Sequence, residues 1–196
     1  MKQLLGFAFM SFLFFTSCQS DAGNSSGSSS ETQTDSAQTE QNAESAENAK
    51  HSNPNVKGVF FYMDDVEAAA GETACLNVKV KNFNQIESNQ YSVNWDPKEL
   101  EFVAIKNIQL KDMSQTNFGL QRTAQGNFAV SWFDPSLKGV TLPDGSPIYQ
   151  ICFAVKAASG TEASVKFSGT PVSIEFSNAR GDLVGFSARR THVKVK

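Results

Sequence analysis

The residue types that most often carry out catalysis are sparse in this chain. It contains two histidines, His51 in a polar segment and His192 close to the C-terminus. A Ser-His-Asp triad or a histidine metal site requires a histidine held in a formed cleft, whereas His192 is predicted at a solvated strand end. Asp64 and Asp65 could in principle supply the pair of carboxyl groups that a glycoside hydrolase uses. Adjacent residues of a strand face opposite sides of the sheet, however, so these two cannot flank one glycosidic bond. We therefore predict a protein without catalytic residues and without a cofactor.

Two oxygen-rich segments and the distribution of charge argue against further classes of function. Neither "LPDGSP", which begins at Leu142, nor "NARGDLV", which begins at Asn178, has the ligand spacing of an EF-hand, so no metal site is predicted. The "RGD" tripeptide in the second segment is interpreted as a turn. Residues 56–196 hold fourteen Asp or Glu and fifteen Lys or Arg. They show no basic stripe interleaved with aromatic residues, which argues against binding to nucleic acid.

Residues 1–17 have the features of a secretory signal peptide. Lys2 supplies a positive start, and residues 4–15 form an apolar stretch that is too short to cross a bilayer as a helix, which takes about 20 residues. The motif "FTSC" resembles the lipobox of bacterial lipoproteins, which implies cleavage before Cys18 and attachment of a lipid to it. The alternative is an ordinary signal peptide in which this cysteine has no special role. Gln19 stands in place of the Asp that retains such lipoproteins in the inner membrane, which favours the outer membrane or the cell surface.

Residues 18–55 are predicted to form a lipidated cysteine and a disordered tether. Positions 19–55 contain no Val, Ile, Leu, Met, Phe, Trp or Tyr. Ordering such a segment would bury nothing that offsets the loss of conformational entropy. A flexible coil of this length has a root-mean-square reach of about 35 Å, which would hold a domain clear of a membrane surface.

The remaining residues, 56–196, are predicted to form one all-β domain. Short runs of period-two alternation are separated by turn clusters, and about nine strands without an amphipathic helix favour a sandwich or jelly roll. Residues between the core positions, among them Phe133, are expected to face outward. The alternation predicts that the core contains Leu76, Val78, Val80, Tyr91, Val93, Trp95, Leu100, Phe102, Ile105, Phe128, Val130, Trp132, Tyr149, Ile151, Phe153 and Val155.

Three segments of this domain resemble the cohesin family. They are "GETACLNVKVKNF" from Gly71, "YSVNWDPKELEFVAI" from Tyr91 and "GNFAVSWFDPSLKGVTLPDGSPIYQICFAVKA" from Gly126. Cohesins show the same order: a glycine turn into an alternating strand, a strand that ends at aromatic-Asp-Pro, and a later long strand rich in Phe. Proline ends the strand because it cannot donate to the ladder and restricts the preceding residue. The resemblance covers nearly all of residues 59–196 and implies a nine-stranded jelly-roll β-sandwich, a fold related to that of some carbohydrate-binding modules.

The resemblance also implies a disulfide bond. Cys75 and Cys152 lie on the outward phase of strands that are neighbours in one sheet of the cohesin fold. Two exposed cysteines on adjacent strands of an exported protein are good candidates for oxidation to a disulfide.

Two functions are compatible with this domain, and the sequence leaves both open. Cohesins bind dockerins with outward residues of one sheet, which implies a membrane-anchored module that recognises a dockerin-like protein in polysaccharide degradation and meets the membrane only through its lipid. The alternative is a glycan-binding or adhesive module on the same sheet, which requires exposed aromatic side chains. Phe133 is the one aromatic residue on that phase. By position, the dockerin-binding face would contain Ser88, Gln90, Ser92, Asn94, Ser131, Phe133 and Asp134.

Overall fold

The computed structural model describes residues 55–196, whose regular secondary structure is almost entirely β-strand. The expected signal peptide, Cys18 and the expected tether up to residue 54 lie outside the described residues. Two short 3₁₀ helices, Gln115–Asn117 and Leu120–Gln125, stand on either side of the sixth strand. The strands are β1 (Val59–Tyr62), β2 (Val66–Ala68), β3 (Thr73–Lys81), β4 (Ile86–Trp95), β5 (Leu100–Lys106), β6 (Phe118–Gly119), β7 (Asn127–Phe133), β8 (Pro147–Val155), β9 (Glu162–Ser168), β10 (Glu175–Asn178), β11 (Phe186–Ala188) and β12 (Thr191–Val195).

The strands form two sheets. The five-stranded sheet has the order β11-β1-β3-β8-β5, and the seven-stranded sheet has the order β2-β12-β9-β4-β7-β6, with β10 paired to β4. The expectation of an all-β sandwich is confirmed. The number of strands is twelve instead of nine, because β2, β6 and β11 are additional short strands of two or three residues.

Alternation along each strand sends one side chain into the sandwich and the next one outward. In β7, Phe128, Val130 and Trp132 are buried, whereas Phe133 is exposed. Every side chain predicted to face the core is buried except Phe102, which is half-buried beside a β-bulge in β5. Full burial of one such large apolar side chain stabilises the fold by about 1.5–3 kcal/mol.

A buried hydrogen bond joins the two sheets inside the core. The phenol oxygen of Tyr91, in β4, lies 3.0 Å from that of Tyr149, in β8. Burial raises the pKa of both phenols, so both remain neutral and one donates to the other. The Tyr91 ring also packs edge-on against Phe61 at 5.4 Å between centroids. Both tyrosines therefore contribute apolar packing, and each hydroxyl is satisfied by the other.

The predicted disulfide bond is present on the five-stranded sheet. Cys75 of β3 lies directly opposite Cys152 of β8, with an S–S distance of 2.07 Å and a Cα–Cα distance of 4.1 Å. The expectation that both cysteines are exposed is wrong, because Cys75 is half-buried and Cys152 is completely buried. The reason for the burial of Cys152 is its position in a central strand, where Cys75 flanks it on one side and Ala104 on the other.

Candidate functional site

The outer face of the seven-stranded sheet carries a compact group of the residues predicted to bind a partner. β4 pairs with β7 so that Ser88 lies opposite Phe133 and Gln90 lies opposite Ser131. On the other side of β4, Ser177 of β10 lies opposite Ser88. Because these positions alternate with buried ones, their side chains share the outward side of the sheet. We define the Phe133 surface as Ser88, Gln90, Ser131, Phe133, Ser177 and Leu183.

Two exposed apolar side chains flank the serines of the Phe133 surface. Phe133 is 60% exposed and Leu183 is 41% exposed. Leu183 forms an isolated antiparallel bridge with Ser177, so a single row runs from Leu183 through Ser177 and Ser88 to Phe133. Three strand spacings put about 14 Å between the two ends of this row. The hydroxyls of the two serines hydrogen-bond to each other at 2.8 Å, which gives the row a polar centre between two apolar ends.

Asp134, which was expected on the exposed face, is buried within the turn that follows β7. Its side chain is 1% exposed, and its carboxylate accepts hydrogen bonds from the Ser136 hydroxyl at 2.7 and 2.8 Å. The hydrogen bond from Ser136 holds the pKa of Asp134 below its usual value, and Lys111 Nζ, 3.7 Å from Oδ1, acts in the same direction. The backbone N–H of Leu137 donates to Asp134 O at 3.0 Å. Asp134 therefore fixes the turn and does not contribute to an exposed face.

The expectation that Ser92 is exposed is also wrong. Its side chain is completely buried, although it lies on the outward phase of β4. Ser92 Oγ accepts a hydrogen bond from Val172 N at 2.9 Å and lies 3.2 Å from Val172 O, to which it donates. Residues 169–174, the connection between β9 and β10, therefore lie against the middle of this face and cover Ser92.

Asn94 lies beyond this covering segment, opposite Asn127 of β7. It is half-buried, and its Oδ1 atom is buried without a hydrogen-bond partner among residues 55–196. The predicted face is therefore divided, and Asn94 is on the other side of the division from the Phe133 surface. The predicted residues that the structure does bring together are Ser88, Gln90, Ser131 and Phe133.

The residues that were considered for catalysis make contacts that serve the fold. Asp64 forms an ion pair with Lys79. Asp65 Oδ1 accepts a hydrogen bond from His192 N at 2.8 Å and lies 3.8 Å from His192 Nδ1. This pair lies at the surface, because the histidine side chain is 37% exposed and that of Asp65 is 46% exposed. No group of three His, Cys, Asp or Glu side chains that could hold a metal ion occurs among residues 55–196. In the same part of the chain, no helix has the length and apolar character needed to cross a membrane.

Sequence reasoning missed two exposed apolar residues, Leu183 of the Phe133 surface and Leu137 in the turn after β7. The "RGD" segment that precedes Leu183 is a turn, as predicted, in which Asn178 Oδ1 accepts hydrogen bonds from the N–H groups of Arg180 and Asp182 at 2.9 and 3.0 Å. Leu137 is 63% exposed and has a φ of 57°, a left-handed conformation that is unfavourable for a leucine. The available signal was the presence of a large apolar residue inside each polar turn segment.

The β-sandwich and its exposed surface of serines and apolar side chains define a binding module as the class of this protein. The family model described as "Cohesin domain" matches residues 59–182, well over half of the chain, and the chain belongs to the cohesin family. Cohesins are non-catalytic protein-interaction modules. No curated protein matches this chain by sequence.

Solved cohesin structures share the fold of this domain. The sixth cohesin of scaffoldin B from Acetivibrio cellulolyticus, in complex with a mutant Cel5 dockerin, matches with a TM-score of 0.60 at 21% identity and covers 71% of this chain and 100% of its own. The OlpA cohesin of Clostridium thermocellum, in complex with the dockerin Doc918, matches with a TM-score of 0.60 at 14% identity and the same coverage of 71% and 100%. A non-cellulosomal cohesin from the archaeon Archaeoglobus fulgidus matches with a TM-score of 0.54 at 18% identity, over 71% of this chain and 91% of its own. At these identities the likeness establishes the jelly-roll β-sandwich fold.

Proposed function

We propose that this cohesin receives a dockerin-like protein at the Phe133 surface. The observation that carries the proposal is the row in which the exposed side chains of Phe133 and Leu183 flank the paired hydroxyls of Ser88 and Ser177. Aromatic side chains that become buried on binding are frequent hot spots of protein interfaces. Two of the similar solved structures are complexes of cohesins with dockerins, which supports a partner of this kind.

The chemistry of the Phe133 surface favours a partner that presents apolar side chains next to hydrogen-bonding groups. Phe133 and Leu183 would gain free energy from the removal of apolar area from water, about 25 cal/mol per Å². The hydroxyls of Ser88 and Ser177 and the amide of Gln90 can each donate and accept hydrogen bonds. Because the side chains of the row are uncharged, we expect binding that depends weakly on salt.

The test is the substitution Phe133→Ala in a pull-down with the secreted proteins of the source organism. We expect capture of a dockerin-bearing protein by the unaltered chain. The substitution is expected to weaken that binding roughly thirtyfold, equivalent to about 2 kcal/mol. The melting temperature should remain almost unchanged, because the Phe133 side chain lies outside the core.

A matched control is Val103→Ala, which truncates another exposed apolar side chain, 48% exposed, on β5 of the other sheet. It should leave binding intact. Equal loss of binding in both variants would show that the Phe133 surface is not the site. A glycan array run in parallel covers the alternative. Glycan binding that depends on Phe133, with no dockerin-bearing protein captured, would favour a carbohydrate-binding or adhesive module and overturn the proposal.

We also propose that a lipid on Cys18 anchors the domain to the outer membrane or cell surface, where its partners take part in polysaccharide degradation. The sequence "FTSC" at the end of an apolar stretch supports this part of the proposal. Cys18→Ala should abolish labelling by a fatty-acid analogue and release the protein from membranes. Retention of both the label and membrane attachment by this variant would contradict lipidation at Cys18.

A further inference from the structure

The outer face of the five-stranded sheet carries a cluster of aromatic and cationic side chains. Phe60 and Tyr62 are neighbours on the outward side of β1, with ring centroids 5.8 Å apart and planes inclined by 23°. Lys81 Nζ lies 6.0 Å from the centroid of Phe60 and 5.5 Å from that of Tyr62. Lys79 Nζ and Arg189 Cζ lie 6.0 and 5.9 Å from the centroid of Tyr62. We call Phe60, Tyr62, Lys79, Lys81 and Arg189 the aromatic–cation cluster.

The aromatic–cation cluster has more positive charge than its surroundings neutralise. Asp64 pairs with Lys79 and has Oδ1 4.0 Å from Arg189 Nη2. The hydrogen bond to Asp64 raises the pKa of Lys79, which keeps this lysine charged. Lys81 forms no ion pair with any residue between 55 and 196. Three cations therefore stand against the carboxylates of Asp64 and of Asp144, which accepts a hydrogen bond from Asn82 N beside Lys81, and the cluster keeps a net positive charge at neutral pH.

A row of amide side chains extends the same face across three strands. Asn107 Nδ2 donates to Gln150 Oε1 at 3.1 Å, and Gln150 Nε2 donates to Asn77 Oδ1 at 3.1 Å. Lys106 lies opposite Gln150 in the pairing of β5 with β8 and is exposed. Asn77 and the two lysines of the cluster occupy alternate positions of β3, so the amide row and the cluster share one side of the sheet.

We propose that this face is a second binding site, which takes an acidic polysaccharide rich in uronic acids. Its cations match carboxylates, since charge-assisted hydrogen bonds are about twice as strong as neutral ones. Its amides donate and accept hydrogen bonds, as sugar hydroxyls require. The face extends over the four adjacent strands β1, β3, β8 and β5. Their three spacings give it a width of about 14 Å, which suits an extended polymer. The Phe133 surface lies on the other sheet, so the two ligands can be held at the same time.

The cluster and the amide row together favour a glycan over other polyanions. An acidic polypeptide such as polyglutamate offers carboxylates to the cations, but its side chains have no hydroxyl groups that both donate to and accept from the row of neutral amides. A uronic acid polymer combines carboxylates with hydroxyls along its whole length, so both parts of the face are used.

The test measures retardation of the full-length protein in native gels that contain polygalacturonate, a neutral polysaccharide or polyglutamate. The double variant Lys81→Gln with Lys106→Gln removes two exposed cations that form no ion pair within residues 55–196. It should bind polygalacturonate about tenfold more weakly, because two charged contacts to the polymer are lost. The control, Lys98→Gln with Lys138→Gln, removes two exposed cations from turns outside this face and should bind normally. All four substitutions are at the surface, and unchanged melting temperatures will verify the fold.

A third variant, Asn77→Ala, separates sugar recognition from general charge attraction. It should weaken binding to polygalacturonate about threefold, because one neutral hydrogen bond is lost. Any retardation by polyglutamate should be unchanged. Equal weakening by the control double variant, equal retardation in polyglutamate, or no retardation in polygalacturonate would each overturn the proposal. Dockerin capture by the Lys81 and Lys106 variant should be normal, so the outcome is independent of the function proposed for the Phe133 surface.

Discussion

The two outer faces of the sandwich differ in chemistry although the same core lies behind both. The Phe133 surface of the seven-stranded sheet presents serines and exposed apolar side chains. The five-stranded sheet presents the aromatic–cation cluster, the amide row and a disulfide bond that links two of its strands. Strand alternation makes this possible, because the outward positions can change without altering the inward ones. Each face of the sandwich can therefore differ in surface chemistry while the core stays the same.

The largest effect is expected from the disulfide bond, which belongs to only one of the two faces. Cys75 and Cys152 are 77 residues apart, and the chain-entropy treatment of such a loop gives about 4.5 kcal/mol, an upper estimate because strain and residual structure reduce it. Reduction, or Cys75→Ala with Cys152→Ala, should therefore lower the melting temperature substantially. Below the transition, the Phe133 surface should bind as before, because the crosslink lies in the other sheet.

The mass of the intact, unreduced protein should be lower than that of the reduced protein by two hydrogen atoms. Calorimetry then measures the stability of the oxidised and the reduced protein. Quantitative labelling of both thiols in the native, unreduced protein would count against the disulfide. Loss of partner binding on reduction, at a temperature where the domain is still folded, would show that the two faces are coupled.

An intermediate effect is expected from the hydrogen bond between the sheets. Tyr149→Phe leaves the buried Tyr91 hydroxyl without its partner at 3.0 Å, and an unpaired buried polar group costs about 1–3 kcal/mol. Adding Tyr91→Phe removes the second hydroxyl and should restore most of the stability. Urea denaturation of the two single variants and the double variant gives the coupling free energy as a double-mutant cycle. If the double variant is no more stable than Tyr149→Phe, the hydroxyl pair does not explain the loss.

The fold and part of the site were predictable from the sequence because alternation is a local signal. It correctly assigned Trp132 to the core and Phe133 to the surface, although the two residues are adjacent and both aromatic. The aromatic–cation cluster gave no such signal, because β1 is a run of four apolar residues in which Phe60 and Tyr62 cannot be told from their buried neighbours. The pairing of β1 with β3 brings Lys79 and Lys81 to these rings. This pairing joins residues about 20 positions apart, so the alternation within either strand does not reveal it.

The errors at the predicted face have two physical origins. Ser92 is on the outward phase, as expected, but residues 169–174 cover it through Val172. Asp134 follows the exposed Phe133 at the end of β7, so alternation itself directs its side chain away from the exposed face, and Ser136 and Lys111 contact its carboxylate. Period-two alternation predicts the direction of a side chain. It does not predict which distant segment lies over that side chain.

The smallest predicted effect on stability concerns Leu137, and it tests whether the turn after β7 belongs to the Phe133 surface. Its positive φ of 57° costs a leucine about 1–2 kcal/mol, and its side chain is 63% exposed, so the core gains little from it. A residue in an unfavourable conformation that contributes little to packing is a candidate for a role in binding. Leu137→Gly relieves the backbone strain, while the greater entropy of glycine in the unfolded chain offsets part of the gain. We therefore expect a melting temperature that is unchanged or slightly raised, together with roughly fivefold weaker partner binding, about 1 kcal/mol.

Asn107→Gly is the control, because Asn107 also has a positive φ, 46°, and lies beside the other sheet. If Leu137→Gly binds the partner as well as the unaltered chain, the turn lies outside the interface and Phe133 and Leu183 alone supply its apolar contacts.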